Sequence, residues 1–435
     1  MKFIDLFSGL GGFHVALSKL GHECVFASEI DETLRELYEI NFGLRPIGDI
    51  REHYTLDVPK HSILTGGFPC QAFSKAGFQA GLDDFDKGTL FDDIARILKY
   101  RRPKYFILEN VANLKSHDEG RTFDIIMRTL SETLNYSVDY KKLSPHQFGI
   151  PQLRERIFIV GCANGLSKFQ WPEVENVPID ITDILDKNPE EAKILPDREN
   201  ECLDIWQEFL DRLPSHVKLP SFPIWSMEFG ADYPFKETTP YSLSQSFLDP
   251  FLGSFGQSLY GMLKKDQLER LPKYARLEQI GGVFPRWKIL FISQNREFYK
   301  KYKRHIDPVL TRIQNLPPSW QKFEWNCQGE ERQIRSHVIQ FRGSGVRVKR
   351  TNYSPSLVAS TSTQIPVIAW ENRYMTITEA ARLQSLDGLK IDLQEGPSYK
   401  ALGNAVNARV VELIAENLIG RAVRATGGMA AHIGN

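Results

Sequence analysis

The feature that most constrains this chain is a rhythm in its first 165 residues, where short apolar runs alternate with stretches of helical spacing. FIDLF (3–7), CVFAS (24–28), SILTG (62–66), YFILE (105–109) and IFIVG (157–161) are β-rich runs of strand length. A glycine-rich turn leads from the first of them into a helix ending near Leu20–Gly21. Alternating units of this kind predict an α/β fold with a doubly wound, mostly parallel sheet, because parallel strands need crossovers and the crossover helices cover both faces. Such sheets bind ligands beyond the carboxyl ends of their strands. The chemically pointed residues fall at those ends: Gly9 and Gly11 after the first run, Glu29 after the second, Cys70 and Glu109 after later ones.

From about residue 172 the texture changes. Prolines and aromatics dominate WPEVENVP, LPSHVKLPSFPIW and NLPPSW, so 173–395 reads as a separate, loop-rich domain. The rhythm returns in SYKALGNAVNARVVELIAENLIG (398–420), where Val406, Val410, Leu413 and Ile414 share a helical face, with Asn404 as N-cap and Gly420 as stop. This predicts one domain from 1–172 plus 396–420, a second over 173–395, and a frayed tail at 421–435.

With 42% hydrophobic and 25% charged residues the composition is that of a globular protein, and no apolar run approaches the ~20 residues of a membrane span. MKFIDLFSGLGG goes straight into strand-like sequence with no secretory pattern, so a cytoplasmic location is expected. The formal net charge is zero, and only local patches can speak for nucleic acid. Between Lys264 and Arg304 twelve basic residues stand against Asp266, Glu269, Glu278 and Glu297, and RGSGVRVKR (342–350) carries Arg342, Arg347, Lys349 and Arg350 around two glycines. Either patch suits phosphate contact or a solvated face.

The five cysteines, at 24, 70, 162, 202 and 327, form no CxxC pair or metal-ligand cluster, and the pattern reads as a reduced protein without a metal. In GGFPCQAFSKAG (66–77), Pro69 stiffens the turn and presents Cys70 as either a nucleophile or a buried structural thiol. DLFSGLGG (5–12) lets a ligand approach the backbone at a helix N-terminus, but a dinucleotide fingerprint wants a small residue where His14 stands, which weakens a nicotinamide reading. Glu29 is spaced to accept from ribose hydroxyls, and Asp49 of GDI (48–50) could meet an adenine amino group. In ENV (109–111) a carboxylate beside a partly dry pocket suits proton donation, with a capping glutamate as the alternative. Gln152, Arg154 and Arg156 alternate, so two guanidiniums could converge on a pocket or lie on a solvated edge.

Together DLFSGLGG, SEID (28–31), GDI, PCQAFS (69–74), GTLFDD (88–93), ENV, QLRER (152–156), RYMTITEAARLQS (373–385) and GNAV (403–406) resemble, in order, the cytosine-5 DNA methyltransferase family, bacterial restriction–modification type. No family motif is found in 166–340. Ala405 in place of serine and SLDG (385–388) without Phe-Pro depart from the pattern without touching the proposed catalytic atoms.

The resemblance implies the S-adenosylmethionine-dependent methyltransferase fold, and Cys70 as the nucleophile toward cytosine carbon 6. It makes Glu109 the partner of ring nitrogen 3, Arg156 a contact to the base oxygen, and Arg154 a residue that fixes the nucleophile's surroundings. Phe7, Gly9, Gly11, Glu29, Ile30, Asp49, Ile50, Leu90, Asn404 and Val406 would line the S-adenosylmethionine pocket. A stacked cytosine is out of reach of a thiol, so the base must be flipped from double-stranded DNA. AFSKAGFQAGLDDFDKG (72–88) would close over it, with Gln71, Ser74 and Lys75 on the DNA side.

The domain at 173–395 would recognise the target, with Arg342, Arg347, Lys349 and Arg350 meeting bases or phosphates, while Glu379 and Arg382 organise the domain. The family role implies a restriction endonuclease acting on the same site without a stable complex, nucleoid DNA as the workplace, and a monomer by default. A transfer-RNA cytosine methyltransferase and a catalytically silent DNA-binding protein on the same fold are the competing readings. The absence of a Cys-Phe-Thr tripeptide disfavours the first, and the joint presence of Cys70, Glu109 and Arg156 disfavours the second.

Overall fold

The computed structural model describes the chain except residues 54, 70–88, 176, 358–363 and 422–435. It divides into two compact units, one made of 1–187, 355–362 and 376–435, the other of 188–354 and 363–375.

The first unit is built on strands β1 (Lys2–Leu6), β2 (Glu23–Ser28), β3 (Ile63–Gly67), β4 (Tyr105–Val111), β5 (Ser137–Leu143) and β7 (Arg156–Cys162), with β6 (Gln152–Leu153) a two-residue segment before β7. They lie in the order β2-β1-β3-β4-β7-β5. The first four run parallel, and β7 is antiparallel to both β4 and β5. All five expected strands are present. The sixth, β5, has the sequence SVDYKKL, whose charges and exposed edge position hide it from an apolar-run reading.

Side-chain alternation sends Ile4, Leu6, Leu64, Phe106, Leu108, Ile157 and Ile159 into one core, against Phe91, Ile94 and Leu98 of α3 (Leu90–Arg101) and Phe123 and Ile126 of α4 (Arg121–Arg128). The opposite face turns Phe3 and Asp5 toward α1 (Gly12–Lys19) and α2 (Glu32–Phe42): Phe3 meets the His14 ring at 5.6 Å, and the Tyr38 hydroxyl donates to Asp5. Because the chain passes from β1 out to β2 and returns to β3 on the other side of β1, the sheet's direction switches between β1 and β3. Ligand crevices open at such a point.

The terminal segment is two helices, Glu395–Asn404 and Ala408–Ile419, where the sequence pattern suggests one. Asn404 ends the first. The N-cap of the second is Asn407, whose side chain accepts from the Val410 N–H at 3.1 Å, with Gly420 as the stop. The break leaves Ala405, Val406 and Asn407 outside both helices. The second helix packs on α1 and is tied there by Lys19–Glu412 at 3.0 Å.

The unit boundaries fall at 187 and 376 rather than at 173 and 396. Helix Ile377–Leu383 belongs with the first unit, because buried Glu379 caps it through Thr376 and also accepts from the Asp186 N–H at 2.9 Å. Arg382 pairs with Asp186 at 2.9 Å and donates to Ile184 O. Both side chains therefore hold this helix to residues 184–186 of the first unit, rather than lying in the second domain where the sequence texture places them.

The second unit carries a six-stranded sheet in the order 373–374, 367–368, 338–342, 345–349, 322–325, 224–225, and long irregular stretches that match its prolines. It also contains helix Asp197–Arg212 and the 29-residue helix Arg286–Gln314. The latter buries Ile292, Asn295, Phe298, Tyr299, Ile306, Val309 and Ile313 at helical spacing inside a strongly basic run. No helix among the described residues is long and apolar enough to cross a membrane.

Candidate active site

A cavity of about 530 Å³ opens where the β1, β3 and β4 ends meet the 403–406 segment. Its floor is the turn after β1. Phe7, Gly9 and Gly11 all take positive φ (55°, 52° and 81°), which costs a glycine nothing and a phenylalanine something. The turn is pinned to β2: Ser8 N–H donates to Ser28 O, and Gly9 N–H to a Glu29 carboxylate oxygen, both at 2.9 Å. The other Glu29 oxygen accepts from Asp31 N–H at 3.0 Å. A carboxylate has about four acceptor positions, so Glu29 keeps capacity for a ligand.

Asp49 is brought alongside because Ile47 pairs with Ser28 as a bridge and Glu29 N–H donates to Ile47 O. It caps the turn Ile50–Glu52 and is gripped by Arg51, whose hydrogen bond holds its pKa below the usual carboxylate range.

Phe7, Gly9, Glu29, Ile30, Asp49, Ile50, Leu90, Asn404 and Val406 all line this cavity. Gly11 does not. It is the N-cap of α1 and faces α2, where an added Cβ would fall 2.3 Å from the Phe42 ring. His14 fills the same seam, stacked on Phe42 at 4.0 Å and bonded through Nδ1 to the Tyr38 hydroxyl at 2.7 Å, and burial lowers it to about 4, so it is neutral. Sequence reasoning missed Ser8. Ser8 lines the cavity, and its buried hydroxyl has no hydrogen-bond partner among the described residues.

The far wall carries the titratable groups. Glu109, 8% exposed, lies two residues before the end of β4, and Arg156 begins β7; the Arg156 Nε lies 2.9 Å from Glu109 Oε1. Burial raises the Glu109 pKa, while Arg156 and Arg154 pull it down less strongly. Arg154, 2% exposed, is lowered by burial and by Arg156 to about 9 and stays cationic at neutral pH. It donates to Ala405 O at 2.9 Å and to the Ser356 hydroxyl at 3.3 Å, and its own N–H is held by Ser144 Oγ.

Arg154 thus grips the segment that carries Asn404 and Val406. Gln152, expected on the same face, is fully buried, is not among the lining residues, and its amide has no partner among the described residues. Asn110, which spacing does not single out, braces the β3 exit by donating to Phe68 O at 2.8 Å. Pro69 lines the cavity; Cys70, Gln71, Ser74 and Lys75 lie outside the described residues.

In the second unit, Arg342, Arg347 and Lys349 share the polar face of the hairpin 338–349, opposite buried Ile339, Phe341, Val346 and Val348. Arg347 is held by Glu324 at 2.6 Å, and Arg350 by Glu330 at 2.7 Å and by Gln328 O. Arg342 and Lys349 have no ion pair among the described residues, and burial lowers both. Part of the 264–304 basic run is internal. Arg296 pairs with fully buried Glu228 at 2.8 Å, and Lys264 donates to Pro240 O at 2.8 Å.

A switched, mostly parallel sheet with a carboxylate-lined crevice at its strand ends is the architecture of a ligand-binding α/β protein. Solved structures agree on the fold. A DNMT2 mutant of Spodoptera frugiperda (17% identity, TM-score 0.50) and a prophage-encoded putative DNA modification methyltransferase of E. coli (18%, 0.50) cover 96% and 97% of this chain and 99% of their own. The sequence profile of the C-5 cytosine-specific DNA methylase family matches residues 1–227.

The Type II methyltransferase M.HhaI of Haemophilus parahaemolyticus is 42% identical over 221 residues, half of this chain and 67% of its own. M.HpaII of Haemophilus parainfluenzae is 47% identical over 187, covering 42% and 52%. M.AluI of Cellulosimicrobium cellulans is 30% identical over 482 aligned positions, covering 95% and 91%. The chain belongs to the C-5 cytosine-specific DNA methylase family and is a DNA cytosine-5-methyltransferase.

Proposed function

We propose that the protein methylates carbon 5 of a flipped-out cytosine within one short double-stranded DNA sequence, using S-adenosylmethionine and a covalent Cys70 adduct, and so protects host DNA in a restriction–modification system. The observation that carries this reading is the buried Glu109 carboxylate, its pKa raised by burial and its oxygen 2.9 Å from the Arg156 Nε, on the wall of the same cavity that Glu29 and Asp49 line.

The cavity fits the cofactor by its donor set. Glu29 and Asp49 offer acceptors for hydroxyl and amino groups, the Ser8 hydroxyl is unclaimed, and space is open beyond the Gly9 Cα. Phe7, Ile30, Ile50, Leu90 and Val406 offer apolar walls for a ring, with Asn404 at the rim. S-adenosylmethionine, when bound, supplies an electrophilic methyl group.

The chain's own residues prepare the acceptor. The Cys70 thiolate adds to carbon 6, and the displaced electron pair is drawn toward nitrogen 3, where Glu109 donates its proton or a hydrogen bond. Carbon 5 then carries enamine character and accepts the methyl group. Loss of the carbon-5 proton returns the pair to the ring and expels Cys70. Arg156 would hold Glu109 and the base oxygen together, and Arg154 would keep 404–406 in place. The second unit would read the sequence through the 338–349 hairpin, on nucleoid DNA in the cytoplasm, with a matching endonuclease acting separately.

Bisulfite sequencing of DNA from a methylation-free bacterial host expressing the protein tests this. Protected cytosines at one recurring motif, lost in Cys70→Ser, are expected. Complete conversion despite soluble protein would overturn it and move attention to RNA.

A further inference from the structure

We propose that the second unit contains a phosphate-binding cavity walled by Arg270, Lys273, Arg276 and Lys322. The cavity measures about 470 Å³, and Glu269 is its one acidic wall residue. None of the four cations has an ion-pair partner among the described residues, whereas Arg296, Arg335, Arg347 and Arg350 of the same unit are each paired with a carboxylate. Cations gathered on one concave wall raise one another's energy until an anion arrives. Lys322 carries that signature, since burial and the neighbouring Lys273 both push its ammonium down.

The wall is built rather than incidental. Arg270 caps the helix Lys264–Glu269; its carbonyl accepts from Ser254 N–H at 2.8 Å and its Nη1 donates to Ser258 O at 2.6 Å. An added Cβ at Gly253 would lie 2.5 Å from that carbonyl, so the chain is closely laid there. Arg276 donates through Nε to Leu271 O at 2.7 Å, which leaves both Nη groups free to fork onto an oxyanion. Lys322 opens its strand in register with Trp225, its Nζ 5.9 Å from that ring.

Two guanidiniums and two ammoniums suit a tetrahedral dianion or a phosphodiester better than a planar carboxylate. Gly343, in the turn of the 338–349 hairpin, also lines the cavity. The source is therefore either a backbone phosphate of the DNA duplex or a free phosphate compound. The choice of DNA rests on the recognition role proposed above, while the anion site does not.

Full-length wild type, Lys273→Gln, Lys322→Gln and the charge-retaining Lys273→Arg are compared in two measurements. One titrates inorganic phosphate calorimetrically; the other follows the affinity for a mixed-sequence duplex against salt. If DNA fills the cavity, the slope of log K against log salt falls by about one in each Gln variant and is kept by Lys273→Arg, with the same motif still methylated. If a free phosphate fills it, wild type binds phosphate and the Gln variants lose at least about tenfold, with the salt slope unchanged. An unchanged slope together with no phosphate binding overturns the site. Where a Gln variant does not fold, phosphate against chloride at matched ionic strength on wild type decides: no heat and no displacement of DNA overturns it. Failure of the recognition role alone would leave the phosphate heat intact.

Discussion

Arg156 reaches Glu109 diagonally across β4 and β7, Nε to Oε1 at 2.9 Å, because the residue in register with Arg156 is Val111. A diagonal contact of this kind needs a long side chain and places the guanidinium beside the carboxylate. Replacing Glu109 by Gln is expected to lower kcat by roughly 10²- to 10⁴-fold, the range for a positioned general acid. Cofactor affinity should stay within a factor of about two. Single-turnover methyl transfer and calorimetry with S-adenosylmethionine check the two halves. Near-normal turnover would remove Glu109 from the chemistry.

The same pair makes a pH prediction. Burial raises the Glu109 pKa and Arg156 opposes that rise. If the protonated form works, kcat/KM falls as pH climbs through that pKa, and Arg156→Gln, which removes a lowering influence, moves the falling limb to higher pH. A limb that stays put or moves down in that variant would show that another group titrates.

How far all this was legible depended on whether the information is local. The β1 turn, Glu29 and ENV could be read because each sits within a few residues of a strand end, and a parallel sheet fixes what strand ends can do; Asp49 reaches the same place only through the Ile47–Ser28 bridge. Arg154 and Arg156 were legible as a pair but not as to what they hold. Arg154's grip on Ala405 spans 251 positions of sequence, and no periodicity announces it. Gly11 looked like a ligand glycine and proved to be a packing glycine, because the ring that needs the space, Phe42, belongs to the next helix. Asn404 and Asn407 compete for one N-cap, and the backbone break at 405–406 decides it. The helix at 286–314 stayed hidden because its basic residues mask the buried stripe.

Asp5, fully buried on β1, shows what the first unit carries besides its site. Its carboxyl accepts from the Tyr38 and Thr65 hydroxyls, each at 3.3 Å, and burial raises its pKa well above normal. The folded state therefore holds this proton more tightly than the unfolded chain does. The contribution to stability is complete below about pH 4 and is lost as pH rises through the folded value. Asp5→Asn keeps an acceptor for both hydroxyls and does not titrate. Its melting temperature should fall less steeply than that of wild type above about pH 4, as thermal unfolding across pH would reveal; parallel curves would count against it.

Gly12 opens α1 where Val406 crosses it, and a Cβ there would stand 2.5 Å from Val406 O. Gly12→Ala should cost about 1–3 kcal/mol by overpacking and weaken S-adenosylmethionine binding, since the 405–406 segment must shift. Denaturant unfolding and cofactor titration measure both effects. A stable variant with weakened cofactor binding would mean that the segment yields cheaply; unchanged values for both would contradict the close packing.

Among the hairpin cations, Arg342 and Arg350 should behave differently. Arg350 is ion-paired with Glu330 and donates to Gln328 O, whereas Arg342 has no ion pair among the described residues and burial lowers its pKa. Arg342→Gln is expected to weaken binding to the recognised sequence by about 1–3 kcal/mol and to relax the choice of base at one position. Arg350→Gln should do little to either. Competition binding with single-base variants of the site ranks them, and equal losses would mean that the ion pairs open on DNA.

Glu228 anchors the second unit. It is fully buried, accepts from the hydroxyls of Tyr233 and Tyr274, and pairs with Arg296 at 2.8 Å. The Arg296 guanidinium is also stacked 4.2 Å from the Tyr233 ring centroid and 4.5 Å from that of Phe235. Glu228→Ala strands that guanidinium among aromatic rings and should cost about 3–5 kcal/mol. Removing the stranded charge as well, in Glu228→Ala/Arg296→Met, should restore part of the loss, because an apolar chain of similar length tolerates the same surroundings. Equilibrium denaturation of the two variants distinguishes this from simple cavity formation: if the double variant is the less stable, the loss comes from packing and not from the uncompensated charge.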